Sequence, residues 1–384
     1  MRILQVSPYS AARPGGVQTH VRDLARWLTD AGHPTAIVAP GPDGGGGTPP
    51  VTPLGRAVGI GLSGTRFEIT WVGGRELAEA RRTLDVDHVD VVHLHTPFVP
   101  LLPLRLWRAF RRPTVATFHP TLPPQDRLLA AVLGPVARAM RNRLEVAIAV
   151  SPSAAELLAP PSAAHPVEIV PPTVDLSAWR AAGRAAGPRD PAAAPRLLFL
   201  GRFEARKGLD VLIHAWPEVL RRRAETPPHL IVAGGGELAP MARDFAARWS
   251  ASVEIVPTPD DATARRLVAE ADLLIAPAPW GESFGLVLIA AMAAGTPVVA
   301  AANPGYAGVL TGPGAAMLVP PGDAAALAAT IADLLADPAR LDALRAWGRD
   351  HVTRYDVAAV GPRLLDLYRR AVATRARGGS TDDR

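Results

Sequence analysis

Arg196-Leu197-Leu198-Phe199-Leu200-Gly201-Arg202-Phe203-Glu204-Ala205-Arg206-Lys207-Gly208 decides how this chain is read. An apolar run without alternation, closed by glycine, suits a strand buried on both faces of a parallel sheet. A helical period over 207–222 follows it directly, and the unit then repeats. Strands are predicted at 229–233, 252–256, 272–276 and 297–300, with helices at 237–248, 260–270 and 284–294 between them. Working back towards the N-terminus, the same alternation runs through the first half. A strand at 2–7 precedes a helix from Val17 to Leu28 that gathers Val21, Leu24, Trp27 and Leu28 on one face; Gly32 stops it before a strand at 34–39. Further strands are read at 89–94, 114–118, 145–150 and 167–170, and helices near 75–84, 98–110, 126–142 and 152–158. Two such arrays predict an α/β protein of two Rossmann-like, doubly wound domains facing across a cleft, with ligands at the carboxyl ends of strands. The first domain is read as 1–174 and the second as 196–358. The Ala/Gly/Pro/Arg-rich segment 175–195 lacks a period and reads as a linker. Gly44-Gly45-Gly46-Gly47 reads as a flexible loop, and the tail 376–384 as disordered.

Composition narrows the classes. A chain of 384 residues suits two ordinary domains. No apolar run reaches the roughly 18–20 residues that span a bilayer, and no signal peptide is read at the N-terminus, so a cytoplasmic location is expected. Cysteine is absent, which excludes disulfides, thiol nucleophiles and thiolate metal sites. A net charge of +5, with arginines spread evenly and few aromatics between them, gives no nucleic-acid signature. Of 41 basic side chains only Lys207 is lysine, and Asn and Gln are scarce, a composition shaped by GC-rich codons. The surviving lysine is either a chance remnant or a place that needs a compact ammonium.

Four features sit where strands end. Pro14-Gly15-Gly16-Val17 opens the first helix, as a tight turn or as a backbone approach to an anion. It lacks the Gly-x-Gly-x-x-Gly spacing of a dinucleotide fingerprint, and the second strand ends Val38-Ala39-Pro40 without an acidic residue, which disfavours a nicotinamide cofactor. Arg202 and Lys207, five apart across a turn, can converge on one diphosphate. Trp280-Gly281-Glu282-Ser283-Phe284-Gly285 leads into a helix whose first amides attract phosphate. Glu282 there is either a first-turn carboxylate or an acceptor for sugar hydroxyls. Thr117-Phe118-His119 closes a strand of the first domain. His93 and His95, alternating on another strand without a matching carboxylate, read as structural rather than as a metal pair. Asp85-Val86-Asp87 precedes its strand, at the wrong end of the sheet for a metal site. No metal or other cofactor is expected.

Pro-Gly-Gly-Val, Gly-Arg-x4-Lys-Gly and Gly-Glu-Ser-Phe-Gly, followed by Ala-Met-Ala-Ala-Gly-Thr-Pro-Val-Val-Ala, resemble the retaining glycosyltransferases of family 4, which have the GT-B fold. The resemblance runs from residue 2 to about 370. Ser7-Pro8-Tyr9-Ser10, Pro14-Gly15-Gly16-Val17-Gln18, Ala116-Thr117-Phe118-His119 and Asp260-Asp261-Ala262-Thr263 are most similar to actinobacterial phosphatidylinositol mannosyltransferases, which use GDP-mannose. The resemblance implies a nucleotide-sugar donor held by Gly15, Gly16, Arg202, Lys207, Glu282, Ser283, Phe284, Gly285 and Leu286. It also implies that His119 lies near the transferred sugar, making His119, Arg202, Lys207 and Glu282 the catalytic set. Tyr9, Gln18 and His119 would face a polyol or phospholipid acceptor. A C-terminal helix at 359–375 would cross back to the first domain.

Two departures qualify this. The family's Glu-x7-Glu motif starts at Glu282, but its second position is Ala290, where the missing carboxylate would accept from the ribose hydroxyls. That leaves an alternative, a non-catalytic or weakly active sugar-nucleotide-binding paralogue. The acceptor loop His119-Pro120-Thr121-Leu122-Pro123-Pro124 is also more apolar than the family's, and Glu76 and Glu79 dilute the basic helix Arg75–Arg82. Residues 101–112, with Leu101, Leu102, Leu104, Leu106, Trp107 and Phe110 among arginines, either touch an anionic membrane or pack as a helix with a solvated face.

Overall fold

The computed structural model describes residues 1–11, 15–41, 49–62, 65–99, 101–121, 127–160, 162–187 and 193–379. The chain divides into two compact units, one comprising Met1–Val174 together with the chain from Tyr355 onward, the other Asp175–Arg354.

In the first unit β1 (Ile3–Val6), β2 (Thr35–Ala39) and β3 (Val51–Pro53) are followed by an antiparallel hairpin, β4 (Arg56–Leu62) and β5 (Thr65–Trp71). Then come β6 (Val91–His95), β7 (Thr114–Phe118), β8 (Val146–Ala149) and β9 (Val167–Ile169). The parallel sheet runs β3-β2-β1-β6-β7-β8-β9. Successive side chains leave a strand on opposite faces, so this sheet has two cores. Leu4, Val6, Val92, Leu94, Ala116 and Phe118 pack against Leu102, Leu106 and Phe110 on one side. Ile3, Val91, Val115, Val146 and Ile148 meet Leu24 and Leu28 of the helix Gly16–Asp30, and Val360, Leu364, Tyr368 and Ala371 of the helix Val357–Gly379, on the other. The two helices touch so closely that a Cβ at Gly361 would collide with the Trp27 ring.

The second unit repeats the plan with β10 (Arg196–Leu200), β11 (His229–Gly234), β12 (Val253–Pro257), β13 (Leu273–Ala276), β14 (Val298–Ala301) and β15 (Leu318–Val319), in the order β12-β11-β10-β13-β14-β15.

Several expectations need correction. The segment 175–195, read as a linker without a period, carries a helix, Ser177–Ala186. Gly183, a loop signal in sequence, is where that helix meets the Ala294 carbonyl with no room for a Cβ. The C-terminal helix extends to Gly379, beyond the expected start of the tail, because Ala and Arg sustain helix without burial. Of the two readings of 101–112, the packed helix is the one seen: Leu102–Phe110 buries Leu102, Leu106 and Phe110 in the core, and Trp107 packs against it. The β4–β5 hairpin escaped the sequence reading because Gly59 and Gly61 interrupt its pattern. The Gly44–Gly47 loop and residues 122–124 of the acceptor loop lie outside the described residues.

The turn after β10 depends on close backbone approach. Gly234 has φ +149, and a Cβ there would run into the Gly201 carbonyl oxygen. Gly234→Ala is expected to lower the unfolding free energy by at least about 2 kcal/mol, from steric overlap and backbone strain together. Urea unfolding measures this; an unchanged midpoint would mean that the turn does not hold this geometry.

Candidate functional site

In the second unit the chain leaves β10 through Gly201, forms a single 3-10 turn Ala205–Lys207, and enters the helix Leu209–Arg222 through Gly208 at φ +71. A Cβ at Gly208 would strike the Pro277 carbonyl oxygen, so the turn lies against the end of β13. The sequence reading made Lys207 the first residue of the helix; the left-handed Gly208 separates them and leaves Lys207 at the end of the turn.

Five charged side chains form a chain of ion pairs here. Arg202 meets Glu204 at 2.7 Å, Glu204 meets Arg206 at 2.9 Å, and Glu282 Oε1 receives both Arg206 at 2.7 Å and Lys207 Nζ at 2.6 Å. Arg206 also donates to the Gly281 carbonyl. Arg202 is about half exposed, whereas Glu204, Arg206, Lys207 and Glu282 are mostly sheltered. Burial lowers the Lys207 ammonium below its usual range despite the Glu282 charge beside it. Burial alone would raise the Glu282 carboxyl, but Lys207 and Arg206 override it and hold it below the ordinary value. The three cations and two carboxylates leave an excess of one positive charge. Arg206 and Glu204 were not singled out in the sequence. In an arginine-rich chain, nothing marks one loop arginine as a buried strut.

The Glu282 loop is fixed from behind. Asn303 donates to the Ala278 carbonyl at 2.8 Å and caps the Tyr306 amide at 2.9 Å, and Gly305 leaves no room for a Cβ against Glu282 and Phe284. Gly285, at φ +117, is the N-cap, and the helix runs Leu286–Ala294. It therefore starts two residues later than expected. Ser283 and Phe284 precede it, Leu286 is its first residue, and Ala290, buried, is its fifth rather than its seventh.

The first unit holds Tyr9, Gly15, Gly16, Gln18 and His119. Gly15 is the extended N-cap of the helix Gly16–Asp30, and the Gln18 side chain folds over it so that a Cβ would collide with the carboxamide. Gln18 Nε2 reaches the Ser10 carbonyl at 3.4 Å, and the Tyr9 amide donates to Ser7 Oγ. Pro14 lies outside the described residues.

His119 belongs to a buried polar layer that replaces the apolar core at the carboxyl ends of the strands. Gln5 pairs in register with His93, and His95 with Thr117, on one sheet face. Gln5 Nε2 donates to the Tyr368 hydroxyl at 3.0 Å, and its oxygen accepts from His95 Nε2 at 2.7 Å. His95 Nδ1 therefore accepts from His119 Nε2, at 3.0 Å. Tyr368 donates to His93 Nδ1 at 2.7 Å, and His93 Nε2 donates to Thr117 at 2.7 Å. His20, from the first helix, stands edge-on to His95 and His119, with ring centroids 5.3 and 5.4 Å away. Its Nδ1 accepts from the Thr173 amide at 2.8 Å. His93 is thus a satisfied structural histidine, whereas His95 touches the candidate site directly. His20, Gln5 and Tyr368 were missed, and the distance of Tyr368 along the chain explains why. Asp85 and Asp87 are engaged by Arg2, His88 and Arg81, away from this layer.

Family models described as Glycosyltransferase Family 4 and Glycosyl transferases group 1 match residues 14–178 and 194–337. A phosphatidyl-myo-inositol mannosyltransferase of Propionibacterium freudenreichii is 34% identical over 384 positions, covering 96% of this chain and 94% of its own. Sucrose-phosphate synthase of Thermosynechococcus elongatus superposes with a TM-score of 0.73 at 23% identity, covering 97% of this chain and 99% of that one. Anabaena HepE in complex with UDP-glucose gives 0.72 at 20% identity, covering 95% and 98%. The chain belongs to the family 4 glycosyltransferases and has their GT-B fold of two Rossmann-like halves. It is a glycosyltransferase. Among the described residues, no helix is long and apolar enough to cross a membrane.

Burial lowers all four histidines of the cluster, His20 to about 4 and His93, His95 and His119 well below the usual value. The unfolded chain therefore binds these protons more readily than the folded one. Stability should be complete above the unfolded value of about 6.5 and fall as pH drops below it, by up to about 1.4 kcal/mol per pH unit for each histidine. Urea unfolding between pH 7.5 and 5 measures the slope above the range where Asp and Glu titrate. His20→Asn should remove one histidine's share; a flat profile in both proteins would contradict a neutral, buried cluster.

Proposed function

We propose that this glycosyltransferase moves mannose, with retention of configuration, from GDP-mannose to a hydroxyl of phosphatidylinositol or a related polyol. The observation that carries the donor part is Glu282 sharing one oxygen between Lys207 and Arg206, with Arg202 half exposed beside them. An incoming diphosphate competes with Glu282 for Lys207. The released carboxylate then accepts from sugar hydroxyls, while Arg206 and Glu204 keep the turn in shape. As the C1–O bond breaks, charge builds on the β-phosphate, and Lys207, Arg202 and the amides at 284–286 stabilise it. These cations do what a divalent metal does in other transferases. Mannose and phosphatidylinositol are supported by the curated relative, which carries that name at 34% identity across nearly the whole chain. His119, with Tyr9 and Gln18, forms the acceptor side in this reading, at a cytoplasmic membrane surface.

Ala290 favours a second reading, in which the protein binds sugar nucleotides with little turnover. Incubation with labelled GDP-mannose and phosphatidylinositol vesicles, beside UDP-glucose and free inositol controls, should give labelled lipid only with the first pair. GDP binding without transfer from any donor would overturn the catalytic reading. Ala290→Glu should tighten GDP binding by about 1.5–3 kcal/mol through charge-assisted bonds to the ribose, and 2′-deoxy-GDP binding by less. Unchanged calorimetric affinity in a folded variant would show that other groups hold the ribose.

A further inference from the structure

We propose that His20, His95 and His119 form a transition-metal site in the first unit, selective for Zn²⁺ or Co²⁺, whose occupation withdraws His119 from glycosyl transfer. Each of the three histidines can offer a ring nitrogen such that all three lie within 4.8 Å of one another. They come from two strand ends and a helix packed on the same face, and are nearly or fully buried. A tetrahedral Zn²⁺ about 2.1 Å from each ligand sets its nitrogens about 3.4 Å apart. His95 Nδ1 and His119 Nε2, hydrogen-bonded at 3.0 Å, have to part by only about 0.4 Å to reach this spacing. The three nitrogens lie within 4.8 Å of one another, so His20 has to close in by no more than about 1.4 Å.

The independent sign is His20 Nε2, a buried nitrogen with no hydrogen-bond partner among the described residues. A buried donor without a partner costs about 1–3 kcal/mol and calls for a ligand. Part of the outer shell that metal-bound imidazoles need is also in place. His95 Nε2 donates to Gln5 Oε1 at 2.7 Å, leaving Nδ1 as ligand, and Thr173 Oγ1 lies 2.8 Å from His20 Nδ1. Coordination requires His20 and His119 to shift their protons from Nε2 to Nδ1. Thr173 Oγ1, 2.8 Å away, accepts the first of these, while the Thr173 amide, which donates to the same nitrogen in the metal-free protein, gives up that bond; no proton leaves the protein. Burial keeps the imidazoles neutral, the form a metal binds. Three neutral nitrogen ligands favour Zn²⁺ and Co²⁺ over Mg²⁺ or Ca²⁺, which need oxygen ligands. The fourth position is left to water or an acceptor hydroxyl.

Titration of the full chain with Zn²⁺, by calorimetry and by metal analysis after gel filtration, tests this without recourse to activity. One equivalent should bind, Mg²⁺ should not compete, and Co²⁺ should give the absorption of a tetrahedral nitrogen site. His20→Ala should abolish this equivalent. Thr173→Val, which keeps all three ligands, should weaken it about tenfold to a hundredfold. Circular dichroism establishes that each variant is folded. Transfer from GDP-mannose should be inhibited by Zn²⁺, restored by EDTA, and undiminished by EDTA alone. Absence of a stoichiometric equivalent, or equal Zn²⁺ binding by folded His20→Ala, would overturn the site. Binding without inhibition would overturn its link to His119, and loss of transfer in EDTA would show the metal to be required rather than inhibitory. A protein that binds Zn²⁺ but transfers no sugar would refute the proposed function and leave the metal site standing.

Discussion

One carboxylate oxygen organises the second unit. Glu282 Oε1 holds Lys207 at 2.6 Å and Arg206 at 2.7 Å, and through Arg206 it is tied to Glu204 and Arg202. Removing one partner from a sheltered ion pair strands the other and costs about 3–5 kcal/mol, so the set behaves as a unit. It also requires two loops from different strands to meet, the turn after β10 and the loop after β13. Gly208, with no room for a Cβ against Pro277, lets them do so, and Asn303 and Gly305 hold the second loop from behind. A diphosphate brings the negative charge that Glu282 now supplies. Displacing a carboxylate by a phosphate leaves the cations paired throughout, which keeps the cost of opening the site small.

The first unit is built on a different constraint, a polar layer inside a hydrophobic sandwich. Gln5, His93, His95, Thr117, His119 and Tyr368 satisfy one another by an unbroken run of hydrogen bonds. Burial raises the Tyr368 phenol, which keeps its proton and can donate to His93. Because Tyr368 comes from the C-terminal helix, that helix fixes the tautomer of His119 as well as covering the sheet. The relay ends at His119, the histidine that the family resemblance assigns to the acceptor side.

The β/α alternation was legible because continuous apolar runs and glycine stops are local signals. The strand ends at Gly201 and His119 were legible for the same reason, and both motifs bearing Lys207 and Glu282 were found. What escaped depends on contacts distant in sequence. Arg206 looks like any loop arginine until Glu204 and Glu282 close around it. His20 sits among polar residues of an amphipathic helix, and only the fold shows that it turns inward. The helix at Ser177–Ala186 was hidden by Gly183, whose purpose is close packing rather than a turn. Ala290 lies two residues nearer the start of its helix than expected because the left-handed Gly285 delays that start.

The central claim is that phosphate, not nucleoside, takes the place of Glu282 on Lys207. Calorimetric titration of GDP and of guanosine into the wild type and Lys207→Ala separates the two. The account predicts that GDP binds at least about tenfold more weakly to the folded variant, a loss of some 1.4 kcal/mol or more, while guanosine binding is unchanged. Equal affinity of both proteins for GDP, or a matching loss for guanosine, would contradict it.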